Sequence, residues 1–258
     1  MMTERAADAI IVGGGIAGLW MLATLRAKGY EAILLERDEL GGTQTLASQG
    51  VLHGGLKYAL NGKLSDSSEA IRDMPARWRA CLEGRGEINL QAVKHLSGSQ
   101  ILWSESGISS RLTTFFGSKA LAGRSEKIER ADAPVVLQDR GYKGALYRLE
   151  EPVIDVPSLV RALAEPNLAH IYKAAVTAVA DGAVTLADGQ QLVADRIILS
   201  AGAGNHALAD EQPMQRRPLH QVMVAHPNLT PLYSVCMGSG TKPVLVSTTH
   251  ETSGGTPV

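Results

Sequence analysis

The chain opens with a short apolar run, "DAIIVGGG" (residues 8–15), that ends in three glycines. A run without polar alternation is the pattern of a strand buried on both faces. The next segment, "IAGLWMLATLRAKG" (16–29), places apolar residues at Ile16, Leu19, Trp20, Leu22 and Ala23. That spacing predicts a helix, and Gly29 stands where a helix C-cap belongs. "EAILLE" (31–36) predicts a second buried strand ending at Glu36. Together they make one β-α-β unit.

Beyond residue 60 the pattern is weaker. "SDSSEAIRDMPARWRACLEG" (65–84) predicts a helix kinked or restarted at Asp73–Pro75, because proline fits only the first turn of a helix. "SQILWS" and "ALYRLE" predict short strands, with a helix between them around Ser110 to Leu121. "DVPSLVRALAE" predicts another helix, capped at Asp155 or its neighbour, with Pro157 in its first turn. From Ile171 the signal sharpens. Two Asp-Gly steps, Asp181–Gly182 and Asp188–Gly189, separate short β-prone runs and predict a meander of hairpins. The meander delivers "RIILSAGAG", an apolar strand ending in small residues, and "KPVLVSTTH" (242–250) predicts a last strand.

Composition narrows the class. A chain of 258 residues can hold one large or two modest domains, and 45% hydrophobic with 20% charged residues is ordinary for a globular protein. A net charge of −1 gives no global reason to expect nucleic acid or an anionic membrane, so a small molecule is the expected partner. No window approaches the ~18 apolar residues of a membrane span. The first residues lack a signal-peptide pattern, so no integral membrane segment is expected and the cytoplasm is the expected compartment. Cys81 and Cys236 lie far apart and read as buried thiols. His95, His170, His206, His226 and His250 show no ligand spacing, and no metal site is expected.

Gly13, Gly15 and Gly18 form a GxGxxG pattern after a strand and at the opening of a helix. The first glycine allows the tight turn, the second a close approach of backbone to a pyrophosphate, and the third close helix–strand packing. The N–H groups at the start of the helix, from Ile16 and Ala17 onward, offer donors and partial positive charge to phosphates. Glu36, at the end of the second strand, is placed to accept from ribose hydroxyls, and a carboxylate there disfavours a 2′-phosphate. Arg37 beside it reads as a solvated or adenine-flanking residue. These features predict a dinucleotide site.

"GGTQTLASQGVLHGG" (41–55) follows where a nicotinamide-binding fold would carry another β-α repeat. A glycine-rich stretch with Thr43, Thr45, Ser48 and Gln49 offers N–H groups and hydroxyls without side-chain bulk, which suits a long flat ligand such as FAD. NAD dependence is the alternative at this point. A nucleotide-binding fragment without turnover is another, because the chain stops in "ETSGGTPV" just after a predicted strand.

The run "IIVGGGIAGLW…LLERDELGGTQTLASQGVLHGGLKYAL" resembles the N-terminus of FAD-dependent oxidoreductases of the D-amino-acid oxidase superfamily. It is nearest the glycerol-3-phosphate and 2-hydroxyglutarate dehydrogenase branch. "VADRIILSAGAGN" is similar to the family's second fingerprint, "EPVIDVPSLVRALA" resembles the segment returning from the substrate domain, and "RRPLHQVMV" resembles the strand that starts the second substrate-domain sheet. The resemblance implies an α/β protein. A Rossmann-like FAD-binding domain, with a central parallel sheet and a β-meander, would occupy residues 1–75 and 150–210. An antiparallel-sheet substrate domain would occupy 76–149 and 211–258. It implies that Thr43, Ser48, Gln49, Gly50 and Val51 line the phosphates and flavin, that Val176 meets the adenine through its backbone, and that Ala201 and Gly202 form the turn near the flavin. Family members continue past the point where this chain stops, with another glycine-rich turn over the flavin, so the resemblance also implies a C-terminally shortened chain.

The resemblance further implies hydride transfer from a small polar, anionic hydroxy or amino substrate, with an electron acceptor it does not specify. His53 is the candidate general base, placed by the resemblance near the flavin, and an imidazole is the side chain most often used for base work; a satisfied structural histidine is the competing reading. Lys57 and Tyr58 on the same segment, and Arg148, Arg216, Arg217 and His220 beside predicted strands, are candidates for holding the substrate anion. Solvated charges and a packed tyrosine are their bland alternatives.

Overall fold

The computed structural model describes residues 5–54, 73–104, 125–209, 215, 219–237 and 245–250. In chain order the first elements are β1 (Arg5–Val12), α1 (Ile16–Ala27), β2 (Ala32–Glu36) and α2 (Met74–Leu82). Short strands β3 (His95–Ser97), β4 (Gln100–Ser104), β5 (Ser125–Lys127), β6 (Leu146–Leu149) and β7 (Val153–Ile154) follow. Then come α3 (Val156–Ala164), β8 (Ile171–Lys173), β9 (Val176–Ala180), β10 (Ala183–Leu186), β11 (Gln191–Leu199) and α4 (Asn205–Leu208). Strands β12 (Ser234–Met237) and β13 (Leu245–Ser247) come last.

These elements form two compact units, each assembled from three stretches of chain. The first comprises Met1–Ser48, Ala80–Val93 and Val156–His220; the second comprises Gln49–Arg79, Lys94–Asp155 and Gln221–Val258.

The first unit is built on a six-stranded sheet of order β8-β2-β1-β11-β10-β9. β1 pairs in parallel with β2 on one side and β11 on the other, so Val12 lies level with Leu35 and Leu199. Ile10, Ile11 and Leu34 are fully buried, as an unalternating apolar run requires in a sheet covered on both faces. α1 buries Gly18, Leu19 and Leu22 and packs against α3, whose buried side chains include Leu159, Val160 and Leu163. Past the end of α1, Gly29 takes a φ of +84°, the left-handed conformation of a helix-terminating glycine. Both Asp-Gly steps form the expected turns of the antiparallel β9-β10-β11 meander.

The second unit holds a five-stranded sheet of order β13-β12-β4-β6-β5. It is antiparallel except where β12 runs parallel to β4. Ile101, Ile128, Ala133, Leu137 and Leu146 form a core cluster, and Trp103 and Tyr142, edge to face with each other, pack against it. Burial pushes the Tyr142 phenol above its ordinary pKa, against the lowering effect of its hydrogen bonding with Ser104. A smaller two-stranded sheet, β3-β7, is extended by a bridge from Val51 to Val153.

One predicted strand fails. In "RRPLHQVMV" the described residues Leu219 to Val224 adopt no strand, and Val222 and Val224 are 88% and 71% exposed. The strand is what the resemblance implies, but Leu219–Val224 has no two-residue alternation that would give a strand one buried face. The strand that enters the sheet after this segment is β12, ten residues beyond Val224. The helix predicted around Ser110 to Leu121, and the first half of the one predicted over 65–84, lie outside the described residues; the second half is α2.

Candidate active site

The glycine loop between β1 and α1 is held by three different close approaches. Gly13 has a φ of +111°, and a Cβ there would lie 2.6 Å from the Ala201 Cα. Gly14 is shielded by Leu40, whose Cδ2 would be 2.6 Å from an added Cβ. At Gly18 an added Cβ would overlap the Gly13 carbonyl oxygen and come within 2.7 Å of Ser200 Oγ, so α1 can cross the loop this closely only with glycine. Gly15 differs: its nearest neighbour would be Thr45 Oγ1 at 3.3 Å. The position where the backbone is expected to approach a pyrophosphate is therefore the least crowded of the four, bounded by a side-chain hydroxyl rather than by backbone.

Polar contacts complete the cradle. Gly14 N–H donates to Glu36 Oε2 at 2.6 Å, and Asp38 N–H donates to Oε1 at 2.9 Å. A carboxylate has about four acceptor sites, so these two bonds leave capacity for further donors. Ile16 N–H donates to Thr45 Oγ1 at 3.0 Å, which caps α1 with a hydroxyl 29 residues away in sequence. No acidic residue sits in the first turn of α1, so the positive end of the helix is not neutralised from within. Ser200 Oγ lies 3.0 Å from both the Val12 and Gly13 carbonyl oxygens, and Ala201 N–H donates to Asn205 Oδ1 at 2.8 Å. The Ala201–Gly202 turn thus packs directly on Gly13, and the two stretches that resemble family fingerprints meet in one place. Thr43, at φ +60°, and Ser48 lie exposed on the same unit, and Ala17 is an exposed first-turn residue of α1. Arg37 forms an exposed ion pair with Asp38, and Val176 opens β9, half-buried against the sheet core.

The second unit brings other candidates together. His53 Nδ1 lies 2.9 Å from Glu151 Oε2, and Gly54 N–H donates to Glu151 Oε1 at 2.8 Å. Glu151 is buried and His53 half-buried. Gln49 donates from Nε2 to the Val246 carbonyl at 3.0 Å, while Gly50 and Val51 pair alongside β7. Arg148 pairs with Glu126 across β6 and β5, and His220, in the first unit, is exposed. Lys57, Tyr58, Arg216 and Arg217 lie outside the described residues. Glu151, Gly14 and Ser200 are among the residues of these contacts that the sequence pattern does not single out. Among the described residues no cluster of His, Cys, Asp and Glu could hold a metal ion, and no helix is long and apolar enough to cross a membrane.

The family model for FAD dependent oxidoreductases matches residues 8–251. The chain belongs to this family. As a member of the FAD dependent oxidoreductases it is similar to the probable FAD-dependent oxidoreductase PA4991 of Pseudomonas aeruginosa, with 49% identity over 100% of this chain and 68% of that one. The crystal structure of PA4991 matches with a TM-score of 0.76 over 98% of this chain and 64% of that one, at 41% identity when aligned by structure. The chain thus spans about two thirds of the length of that relative. Glycine oxidase from Geobacillus kaustophilus matches with a TM-score of 0.70 at 15% identity, over 95% of this chain and 69% of that one, a likeness of fold. The aerobic glycerol-3-phosphate dehydrogenase of Escherichia coli is 33% identical over 66 residues, 26% of this chain and 13% of that one. FAD, rather than NAD, is the cofactor of the family.

Proposed function

We propose that the chain binds FAD on its first unit and serves an oxidoreductase that acts on a small, polar, anionic hydroxy or amino compound. The observation that carries the reading is the crossing of Gly13, Gly18 and Ala201, which packs two distant loops together at the N-terminus of α1, where Thr45 Oγ1 is the side-chain group beside Gly15 and Ile16. Gly15 and Ala17 would meet the diphosphate beside Thr45, whose hydroxyl already takes the Ile16 N–H, and Glu36 would meet the ribose hydroxyls. The expected FAD-binding stretches 1–75 and 150–210 overlap the first unit except for residues 49–75 and 150–155, and the expected substrate stretches 76–149 and 211–258 overlap the second except for residues 80–93 and 211–220. Glycine and glycerol 3-phosphate, the compounds named for two relatives, are both small and polar and each carries an anionic group, a carboxylate or a phosphate, which supports the substrate class.

FAD, when bound, supplies a hydride acceptor for a carbon bearing OH or NH. His53 is the proposed proton acceptor for that OH or NH, at Nε2, since Nδ1 faces Glu151. The test is direct. Heat-denatured protein should release a yellow cofactor with the spectrum of FAD, and anaerobic mixing with amino acids, 2-hydroxy acids and glycerol 3-phosphate should bleach the bound flavin for at least one of them. Colourless protein that takes up no added FAD would end the cofactor assignment for this chain. Bound flavin that none of these compounds bleaches would end the proposed substrate class.

A further inference from the structure

Glu151 makes two contacts that no substitution of similar size can reproduce. Its position is set by main-chain pairing rather than by a free rotamer. Leu52 N–H donates to the Pro152 carbonyl at 2.9 Å, Ile154 N–H donates to the Gly50 carbonyl at 3.0 Å, and Val51 bridges Val153. Residues 50–54 therefore run antiparallel beside 151–154, and this register brings the Glu151 side chain to His53 and Gly54. The side chain retains only 7% of its exposure, so both oxygens depend on protein donors. Oε1 takes the Gly54 N–H and Oε2 faces His53 Nδ1.

A carboxylate accepts and does not donate. The histidine nitrogen facing it must then carry the hydrogen, and in the neutral ring the other nitrogen is the acceptor. We infer that Glu151 is a positioning residue that holds His53 in its Nδ1–H tautomer, with Nε2 as the basic nitrogen, and anchors the Gly54 backbone with its other oxygen. The catalytic consequence rests on the reading of His53 as the proton acceptor; the tautomer does not.

Glu151→Gln separates the two. An amide has one acceptor oxygen, which the Gly54 N–H requires, so its NH₂ turns toward His53. Nδ1 must then become the acceptor and Nε2 the protonated nitrogen. In protein labelled with ¹⁵N-histidine, two-bond ¹H–¹⁵N correlations recorded at about pH 8, where an ordinary histidine is neutral, distinguish the tautomers, and the His53→Asn spectrum assigns the signal. The wild type should show an unprotonated Nε2 and Glu151→Gln an unprotonated Nδ1. Flavin reduction in Glu151→Gln should slow at least about tenfold, with FAD content unchanged, as expected when a base is held in the wrong tautomer. A wild-type ring protonated at Nε2 overturns the inference by itself, even if Glu151→Gln fails to fold. An unchanged tautomer in a folded Glu151→Gln also overturns it. If the tautomer reverses while His53→Ala reduces flavin at the wild-type rate, Glu151 keeps its positioning role and His53 loses its role as base.

Discussion

Two loops of this protein, one in each unit, use the same device for different ends. Glu36 accepts the N–H of Gly14 at 2.6 Å, and Glu151 accepts the N–H of Gly54 at 2.8 Å. In each case one carboxylate oxygen fixes a glycine backbone. The second oxygen sets them apart. Glu36 turns it to the Asp38 N–H two residues away, on a half-exposed crest with acceptor capacity to spare. Glu151 turns it to an imidazole 98 residues away, in a buried position. The first arrangement is open to an incoming ligand, and the second is committed to a neighbouring side chain. The glycines differ as well: Gly13 and Gly18 are hemmed in by backbone, whereas an added Cβ at Gly54 would press on a side chain, Pro75 Cγ at 3.1 Å.

That contrast can be broken at its strongest point by Gly18→Ala. The added methyl would meet backbone, which cannot swing aside, so the loss should reach the upper end of about 1–3 kcal/mol for overpacking. FAD retention should disappear with it, as read by thermal melting and the flavin-to-protein ratio. A Gly18→Ala protein that melts like the wild type and stays yellow would remove the steric basis of the cradle. Glu36→Ala should come next. Loss of charge-assisted hydrogen bonds worth roughly 1.5–3 kcal/mol predicts FAD affinity lower by about ten- to a hundredfold at 1.4 kcal/mol per decade. Titration with a folded variant checks it, and unchanged affinity would show that the carboxylate serves only Gly14. Gly54→Ala should do least, about 1 kcal/mol in a denaturation curve, because the edge of a proline ring can yield a few tenths of an ångström. A collapse as severe as that of Gly18→Ala would mean that the second loop is as sterically closed as the first.

Much of the first loop is legible in the sequence because its causes are close together. Strand, glycines, helix and acid fall within thirty residues, and each residue type answers a local demand. Thr45 is recognisable as a loop hydroxyl, but its role as a helix cap depends on a fold-back that no local pattern encodes. Glu151 is hidden for a similar reason. Its partners lie 97 and 98 residues earlier, and only the main-chain register of 50–54 against 151–154 joins them. A faint signal is present, an acid placed directly before the Pro-Val-Ile run that becomes fully buried at Val153 and Ile154. Residues 219–224 teach the converse: the resemblance implies a strand there, but Leu219, Val222, Met223 and Val224 do not alternate with polar residues, and all four are exposed.

The pairing of β1 with β11 also carries a consequence for the birth of the protein. The glycine loop acquires its packing neighbour only when Ser200 reaches Gly13, 187 residues later in the chain. At a synthesis rate of about 5–20 residues per second, that separation is a wait of roughly 10–40 s on the ribosome. During it, β1 can pair with β2 but presents an apolar, unoccupied edge on its other side, the kind of edge that invites pairing with a foreign strand. The nascent chain is thus most exposed to misassociation before the meander emerges, and any N-terminal fragment ending ahead of residue 191 keeps that edge open for good.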